Sequence, residues 1–580
     1  STPKPSSAAS DVYKRQVEGA FMKFEQIAIK NFRNFENIEI CISNKNIFFG
    51  LNDIGKTNFL YALRYVFDKD IRKNGFLDSD FHRKNVASPI EITVVIDISD
   101  TADPDSQKLR AQLKGALFSQ QNKVYIKLTA QYDAQELVAM PMMYWGGNLE
   151  NLYEIKQRGY RYDIDFIFSV TYIDSYVDLY SLFKKNISAL IKHGTASDDA
   201  TLEHIQSSID ALNANIANLP AVKDFEQRIT PEYQKFRGED ISIAIKSEIA
   251  VKGLYSSIVP YIKRTDDENL YPTAGEGRKK LLAYSIFDLL SAEREELQIN
   301  LFLIEEPENH LHKSLQIALS QILFAENKYH YLFVTTHSPF VLYDMDGVSL
   351  IRIFHGSAID SASCFYQVPS DFEKSRKMLN RYLAEAIFAN RVLLVEGTSE
   401  LLLFEKVLSA VKPFYEADGI YILSVEGVGF SKYCEVLSAL KIGWLVKTDN
   451  DLRLSPTKQT YDAYGFQRCN KLIGKDLLPI KSYKDNSVET KATLYAKHKK
   501  TLDSIRTDYG IYLSKVDLEN DLNEILHDKL CEYLSESNPV AYLQGAKHFR
   551  MVDLVKLLTN DDCMKIFDNY NFACLKEITK

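Results

Sequence analysis

The stretch Gly50-Leu51-Asn52-Asp53-Ile54-Gly55-Lys56-Thr57 constrains this chain more than any other. It follows the apolar run "NIFF" and precedes "NFLYALRYVF", which reads as a helix. A GxxxxGK[ST] loop between strand and helix is a phosphate cradle. Its glycines let backbone N–H groups converge on an anion, and the helix N-terminus adds its positive end. Lys56 is expected to reach the β- and γ-phosphates and Thr57 to hold Mg²⁺, with Asn52, Gly55 and Asn58 also against the nucleotide. Such a loop belongs to an α/β fold and requires a second strand ending in acid.

That strand comes almost 250 residues later, in "INLFLIEEPENHLH". Four apolar residues, Leu301 to Ile304, run into Glu305 and Glu306. Glu305 is expected to serve the magnesium ion and Glu306 to polarise the attacking water. A further apolar run, "YLFVTTHSP", leads to His337, placed to sense the γ-phosphate. Before the acidic strand, "YPTAGEGRKK" carries Thr273-Ala274-Gly275-Glu276. This order resembles the ABC ATPases of the RecF and SMC type. The resemblance implies ATP as cofactor, Arg33 of "NFRNFE" beside the nucleotide, and a dimer in which Gly275 of one subunit completes the other's ATP site. "TAGEG" departs from the usual Ser-Gly-Gly-Gln of that signature.

At 580 residues the chain exceeds what a single core supports. We therefore expect residues 1–21 to be a tag or leader, 22–160 and 266–380 to form the two parts of an ABC-type ATPase, 161–265 an inserted helical dimerisation segment, and 385–580 a second α/β domain. Within the insert, apolar residues at 202, 205, 209, 212, 216 and 219 fall at helical steps of three and four. The net charge of −8 argues against a generally basic nucleic-acid coat and leaves room for a local groove. "KATLYAKHKK", at 491 to 500, is one possible patch, or a solvated helix face. No apolar stretch reaches the ~20 residues that span a bilayer. Seven scattered cysteines without a CxxC pair fit a reducing cytoplasm better than a disulfide framework.

The second domain opens with "RVLLVEGTSE". Two acids, Glu396 and Glu400, follow a buried-strand pattern. They suit a helix N-terminus, whose dipole favours negative charge, or a metal site. A later strand pattern, "IGWLVKTDND", ends in Asp449-Asn450-Asp451. Acids at the carboxyl ends of parallel strands sit where open α/β sheets bind ligands. Asp449 and Asp451, two apart, can share one hard cation through oxygen. A glutamate after the first strand with a later Asp-x-Asp is the TOPRIM arrangement. Downstream, "LSKVDLENDL" carries Asp517 and Glu519, and "YLQGAKHF" carries Lys547; spacing alone does not bring them to the crevice.

A RecF-like ATPase followed by a TOPRIM domain resembles the OLD family of nucleases, in particular its Gabija-type antiphage branch. The tracts "NDIGKTNFLYALR", "IEEPE", "VEGTSE", "KTDND" and "DLENDL" carry the likeness from about Met22 to the C-terminus. It implies a Mg²⁺- or Mn²⁺-dependent endonuclease on double-stranded DNA, restrained by nucleotide. Glu396, Glu400, Asp449, Asp451, Glu519 and Asp517 would be metal ligands and Lys547 the active-site lysine. It also implies a homodimer or homotetramer and a UvrD-like helicase subunit as partner. Two other readings are a DNA-repair or chromosome-maintenance ATPase, and an OLD effector docked to a reverse-transcriptase ribonucleoprotein of a retron.

Overall fold

The computed structural model describes residues 22–580 apart from 51–53, 114–120, 177–198, 225, 228–260, 264–269, 273–275, 278, 286–297, 326–328, 343–346, 356–360, 369–381, 427–428 and 456–458. The chain divides into two compact units. One comprises residues 1–170, 301–308 and 313–580; the other comprises 171–300 and 309–312. The second unit contains the helix Asp199–Ala217, where the three-and-four spacing predicts one. The signature glycine Gly275 and the loop residue Asn52 lie outside the described residues.

The first unit contains three main sheets. Phe35–Cys41, Lys23–Phe32, Ile90–Asp97, Lys123–Ala130 and Pro141–Gly146 are neighbours in that order, all antiparallel. In Lys123–Ala130 buried and more exposed residues alternate, as a strand with one face on the core should.

The second sheet carries the phosphate loop. Ile299–Glu305, Tyr331–Thr335, Lys45–Phe49 and Ser349–His355 run parallel in that spatial order, and Ser361–Gln367 closes the edge antiparallel. Ile299–Glu305 and Tyr331–Thr335 are buried throughout. Parallel strands covered on both faces require such unbroken apolar runs, which is why the sequence shows no alternation there. The helix Lys56–Phe67 packs on this sheet through Phe59, whose ring centroid lies 4.1 Å from that of Phe48.

The third sheet is small and wholly parallel, in the order Ile420–Ser424, Arg391–Val395, Gly443–Thr448, Ile511–Leu513. The helix Thr398–Val411 buries Leu403, Phe404, Val407 and Leu408 against it. These four positions repeat at i, i+1, i+4 and i+5, one stripe of a helix. "KATLYAKHKK" spans two helices, Val488–Lys497 and Lys499–Tyr509, that meet at His498; only Leu494 and Tyr495 of the tract are buried.

All seven cysteines are free thiols. Among the described residues no helix is long and apolar enough to cross a membrane.

Candidate functional site

The phosphate loop and the acidic strand meet through register. Leu303 pairs with Phe333, and Val334 with Ile47, so three parallel strands end side by side. Gly55 has φ 103°, a left-handed conformation that favours glycine, and from it the helix starts at Lys56. Lys56 is buried, and its Nζ donates to the carbonyl of Gly50 at 3.1 Å. The Thr57 hydroxyl donates to Glu305 Oε1.

Glu306 follows with φ 42°, a strained conformation for a residue with a Cβ. It brings Glu306 Oε1 to 3.2 Å from His337 Nε2. The carboxylate pair and the histidine expected at one site are therefore together. Glu308 was not singled out from sequence, yet it holds this corner. Its Oε1 accepts from the Thr336 hydroxyl at 2.8 Å and from the His337 backbone N–H at 2.7 Å. Burial pushes the Glu308 carboxyl above its ordinary range, against the pull of those donors. The repeated acid in "EEPE" is the signal that could have flagged it.

Arg33 lies beside the same helix. Its Nη1 donates to Asn58 Oδ1 at 2.9 Å and its Nε to Asp80 Oδ1 at 2.9 Å, while its guanidinium sits 4.7 Å from the Tyr61 ring centroid. Arg33, Asn58 and Asp80 line an open cleft of about 690 Å³.

The second group of acids forms at the ends of the third sheet. Leu394 pairs with Val446, so Glu396 stands level with Thr448. The Thr448 hydroxyl donates to Glu396 Oε1 at 2.5 Å, and the Asp449 N–H to the same oxygen at 2.8 Å. Thr448 pairs in turn with Leu513, which sets Ser514 level with Asp449; the Ser514 hydroxyl donates to Asp449 Oδ1 at 3.1 Å. Glu400, in the first turn of the next helix, is buried, with Oε2 3.4 Å from where a Cβ on Gly397 would stand. Asp517 caps the helix Leu518–Leu534 by accepting from Asn520 N–H at 2.9 Å, and Gln544 Nε2 donates to it at 3.0 Å. Glu519 is buried in the first turn of that helix.

Electrostatics ties these residues together. Burial, then the charges of Glu400, Glu396, Asp451 and Asp517, push the Asp449 carboxyl well above the ordinary carboxylate range. Carboxylates this close repel unless a cation or proton intervenes. The cation here is Arg468, which sequence reading missed: nothing in "YGFQRCNKLI" marks it. Its Nη1 donates to Glu396 Oε1 and to Thr448 Oγ1, and its Nη2 to Asp451 Oδ2 at 3.1 Å.

Among the described residues no three or more His, Cys, Asp or Glu side chains are drawn into a group that could hold a metal ion. Arg468 stands between Glu396 and Asp451 instead. The donor set nevertheless fits a hard divalent cation: oxygen ligands only, with excess negative charge at one point. Lys547 begins the helix Lys547–Leu557, and its side chain lies outside what the structure describes.

Beneath the cluster Lys447 is buried, with Nζ 3.5 Å from Asp521 Oδ2 and 3.0 Å from the Asn571 carbonyl. Asp521 also accepts from the N–H groups of Lys515 and Val516 at 3.1 and 3.2 Å. This pair fixes the strand end from which Asp449 departs.

Known proteins resemble this chain in part and along nearly its whole length. The family described as "Overcoming lysogenization defect protein-like, TOPRIM domain" matches residues 387–451. The "AAA ATPase domain" family matches 22–140 and 171–342. "Endonuclease GajA" of Bacillus cereus (strain VD045) is 43% identical over 573 residues, 96% of this chain and 99% of that protein. "DNA replication and repair protein RecF" of Lactococcus lactis subsp. cremoris (strain MG1363) is 48% identical over 46 residues, 8% of this chain and 13% of that protein. Of solved structures, an Smc head bound to the C-winged helix domain of ScpA is 13% identical with a TM-score of 0.34, covering 61% of this chain and 99% of that one. The chain belongs to the GajA endonuclease family, in which an ATPase domain is joined to an OLD-like TOPRIM domain.

Proposed function

We propose that this chain is an ATP-binding, nucleotide-regulated, Mg²⁺- or Mn²⁺-dependent endonuclease on double-stranded DNA, acting in antiphage defence in the cytoplasm as a homodimer or homotetramer. A UvrD-like helicase subunit is its proposed partner. The observation that carries the reading is the placement of Glu396, Asp449 and Asp451 at the ends of neighbouring parallel strands, where Arg468 bridges Glu396 and Asp451 and the Asp449 N–H donates to Glu396 Oε1.

In this reading Lys56 and the N–H groups at the start of its helix bind the phosphates, Thr57 and Glu305 hold the nucleotide's Mg²⁺, and Arg33 flanks the adenosine. Glu306 accepts a proton from water and His337 keeps its carboxylate in place. Gly275 of a second subunit completes the nucleotide site. In the TOPRIM domain Glu396, Glu400, Asp449, Asp451, Asp517 and Glu519 would hold divalent cation. Such a cation, when bound, activates water and steadies charge on the phosphodiester. Glu396 is oriented for proton transfer by Thr448 and the Asp449 N–H. Lys547 contributes positive charge toward the scissile phosphate.

The test is plasmid cleavage with Mg²⁺ or Mn²⁺, with and without millimolar ATP, for the unaltered chain and Glu396→Ala. Cutting by the unaltered chain alone, weakened by ATP, is the expected result. Equal cutting by both would remove Glu396 from the chemistry.

A further inference from the structure

We propose that Arg468 is a resident counter-ion of the acid cluster that competes with divalent cation for Glu396 and Asp451, so that metal is bound more weakly while its guanidinium stays. The proposal rests on the metal-dependent reading of the cluster given above.

The placement is specific. Arg468 extends from the helix Tyr464–Ile473, which starts against the acidic turn: Gly465 N–H donates to the Asp451 carbonyl at 2.9 Å. A Cβ on Gly465 would stand 2.8 Å from the Asp449 carbonyl oxygen and 3.1 Å from Asp451 N. The helix thus lies close enough for its fourth residue past Tyr464 to reach the cluster. The guanidinium then divides between acids from two strands. One nitrogen serves Glu396 and Thr448, the other Asp451 at 3.1 Å. The Tyr464 ring, with its centroid 5.0 Å from the guanidinium carbon, backs the charge. The arginine side chain is 18% exposed, so water screens it poorly.

Guanidinium and hard cation draw on the same two carboxylates, the guanidinium already holding one oxygen of each. They also repel each other strongly over a few ångströms at reduced dielectric. That repulsion opposes joint occupation of Glu396 and Asp451, so a metal on their remaining oxygens is bound more weakly while the guanidinium stays. Without either, the acids would face one another unneutralised. Arg468 therefore holds the ligands in place before metal arrives, and lowers the apparent affinity for it.

The experiment is Mn²⁺ binding to the full chain, followed by calorimetry and by the melting-temperature rise that Mn²⁺ gives the chelator-treated protein. It compares the unaltered chain with Arg468→Ala, Arg468→Lys and Asp449→Ala. The expected result is affinity raised about tenfold in Arg468→Ala, or about 1.4 kcal/mol, with Arg468→Lys between because an ammonium meets one carboxylate at a time. The metal-free Arg468→Ala protein melts lower than the unaltered one, and saturating Mn²⁺ closes the gap. If Arg468→Ala does not fold, Arg468→Lys alone must still bind more tightly than the unaltered chain. Equal or weaker affinity in the arginine variants, with Mn²⁺ lost in Asp449→Ala, overturns the competition and leaves the metal reading standing. Absence of Mn²⁺ binding in every form overturns both.

Discussion

The hydroxyl of Thr57 donates to the carboxylate of Glu305 across 248 residues of chain. One residue opens the helix of the phosphate loop; the other ends a buried parallel strand. Their contact joins the helix that follows the glycine-rich loop to the end of the acidic strand.

Thr57→Val should separate the metal-dependent part of nucleotide binding from the rest. It removes one oxygen donor and leaves the loop N–H groups and Lys56 in place. ATP affinity measured with a fluorescent analogue is expected to fall about tenfold in Mg²⁺, the loss of one strong polar contact, and to change little in chelator. Lys56→Ala should weaken binding in both conditions.

Lys447 and Asp521 are exposed by only 2% and 1%. Replacing Lys447 by Met leaves Asp521 buried without its cation, and the cost is expected to be about 3 kcal/mol. Chemical denaturation followed in the TOPRIM domain checks this. The double variant Lys447→Met with Asp521→Asn should recover most of the loss, since asparagine removes the second charge yet keeps an acceptor oxygen for the Lys515 and Val516 N–H groups.

Glu308→Gln carries a pH signature. Burial raises the Glu308 carboxyl in the folded chain above its unfolded value. The folded state therefore binds this proton more tightly, and that contribution is full below the unfolded pKa and lost as pH rises through the folded one. Glutamine keeps an acceptor for Thr336 and His337 without a charge. The variant should melt higher than the unaltered chain at pH 8, with the difference shrinking as pH falls toward 5.

Gly465→Ala should disturb the acid cluster without touching an acid. Its methyl would meet the Asp449 carbonyl at 2.8 Å and the Asn450 Cα at 3.0 Å, both backbone atoms that cannot turn aside. A stability loss of about 1–3 kcal/mol is expected from such overpacking, together with weaker Mn²⁺ binding by calorimetry.

Local sequence determined a good deal. The strand–loop–helix around Lys56, the buried runs before Glu305 and Glu396, and the Asp449-Asn450-Asp451 turn are legible because apolar periodicity and glycine placement act over a few residues. The helix Asp199–Ala217 follows from spacing for the same reason. What the tertiary structure decided is which distant residues meet. Parallel register set Thr448 beside Glu396 and Ser514 beside Asp449, and packing of a short helix brought Arg468 over the acids. Glu308 likewise acquired its role only when Thr336 and His337 closed on it. A lone arginine or a third acid in a run has no periodic signature. Its meaning comes from the charges that folding gathers around it, and those depend on strand order and register rather than on neighbours in the chain.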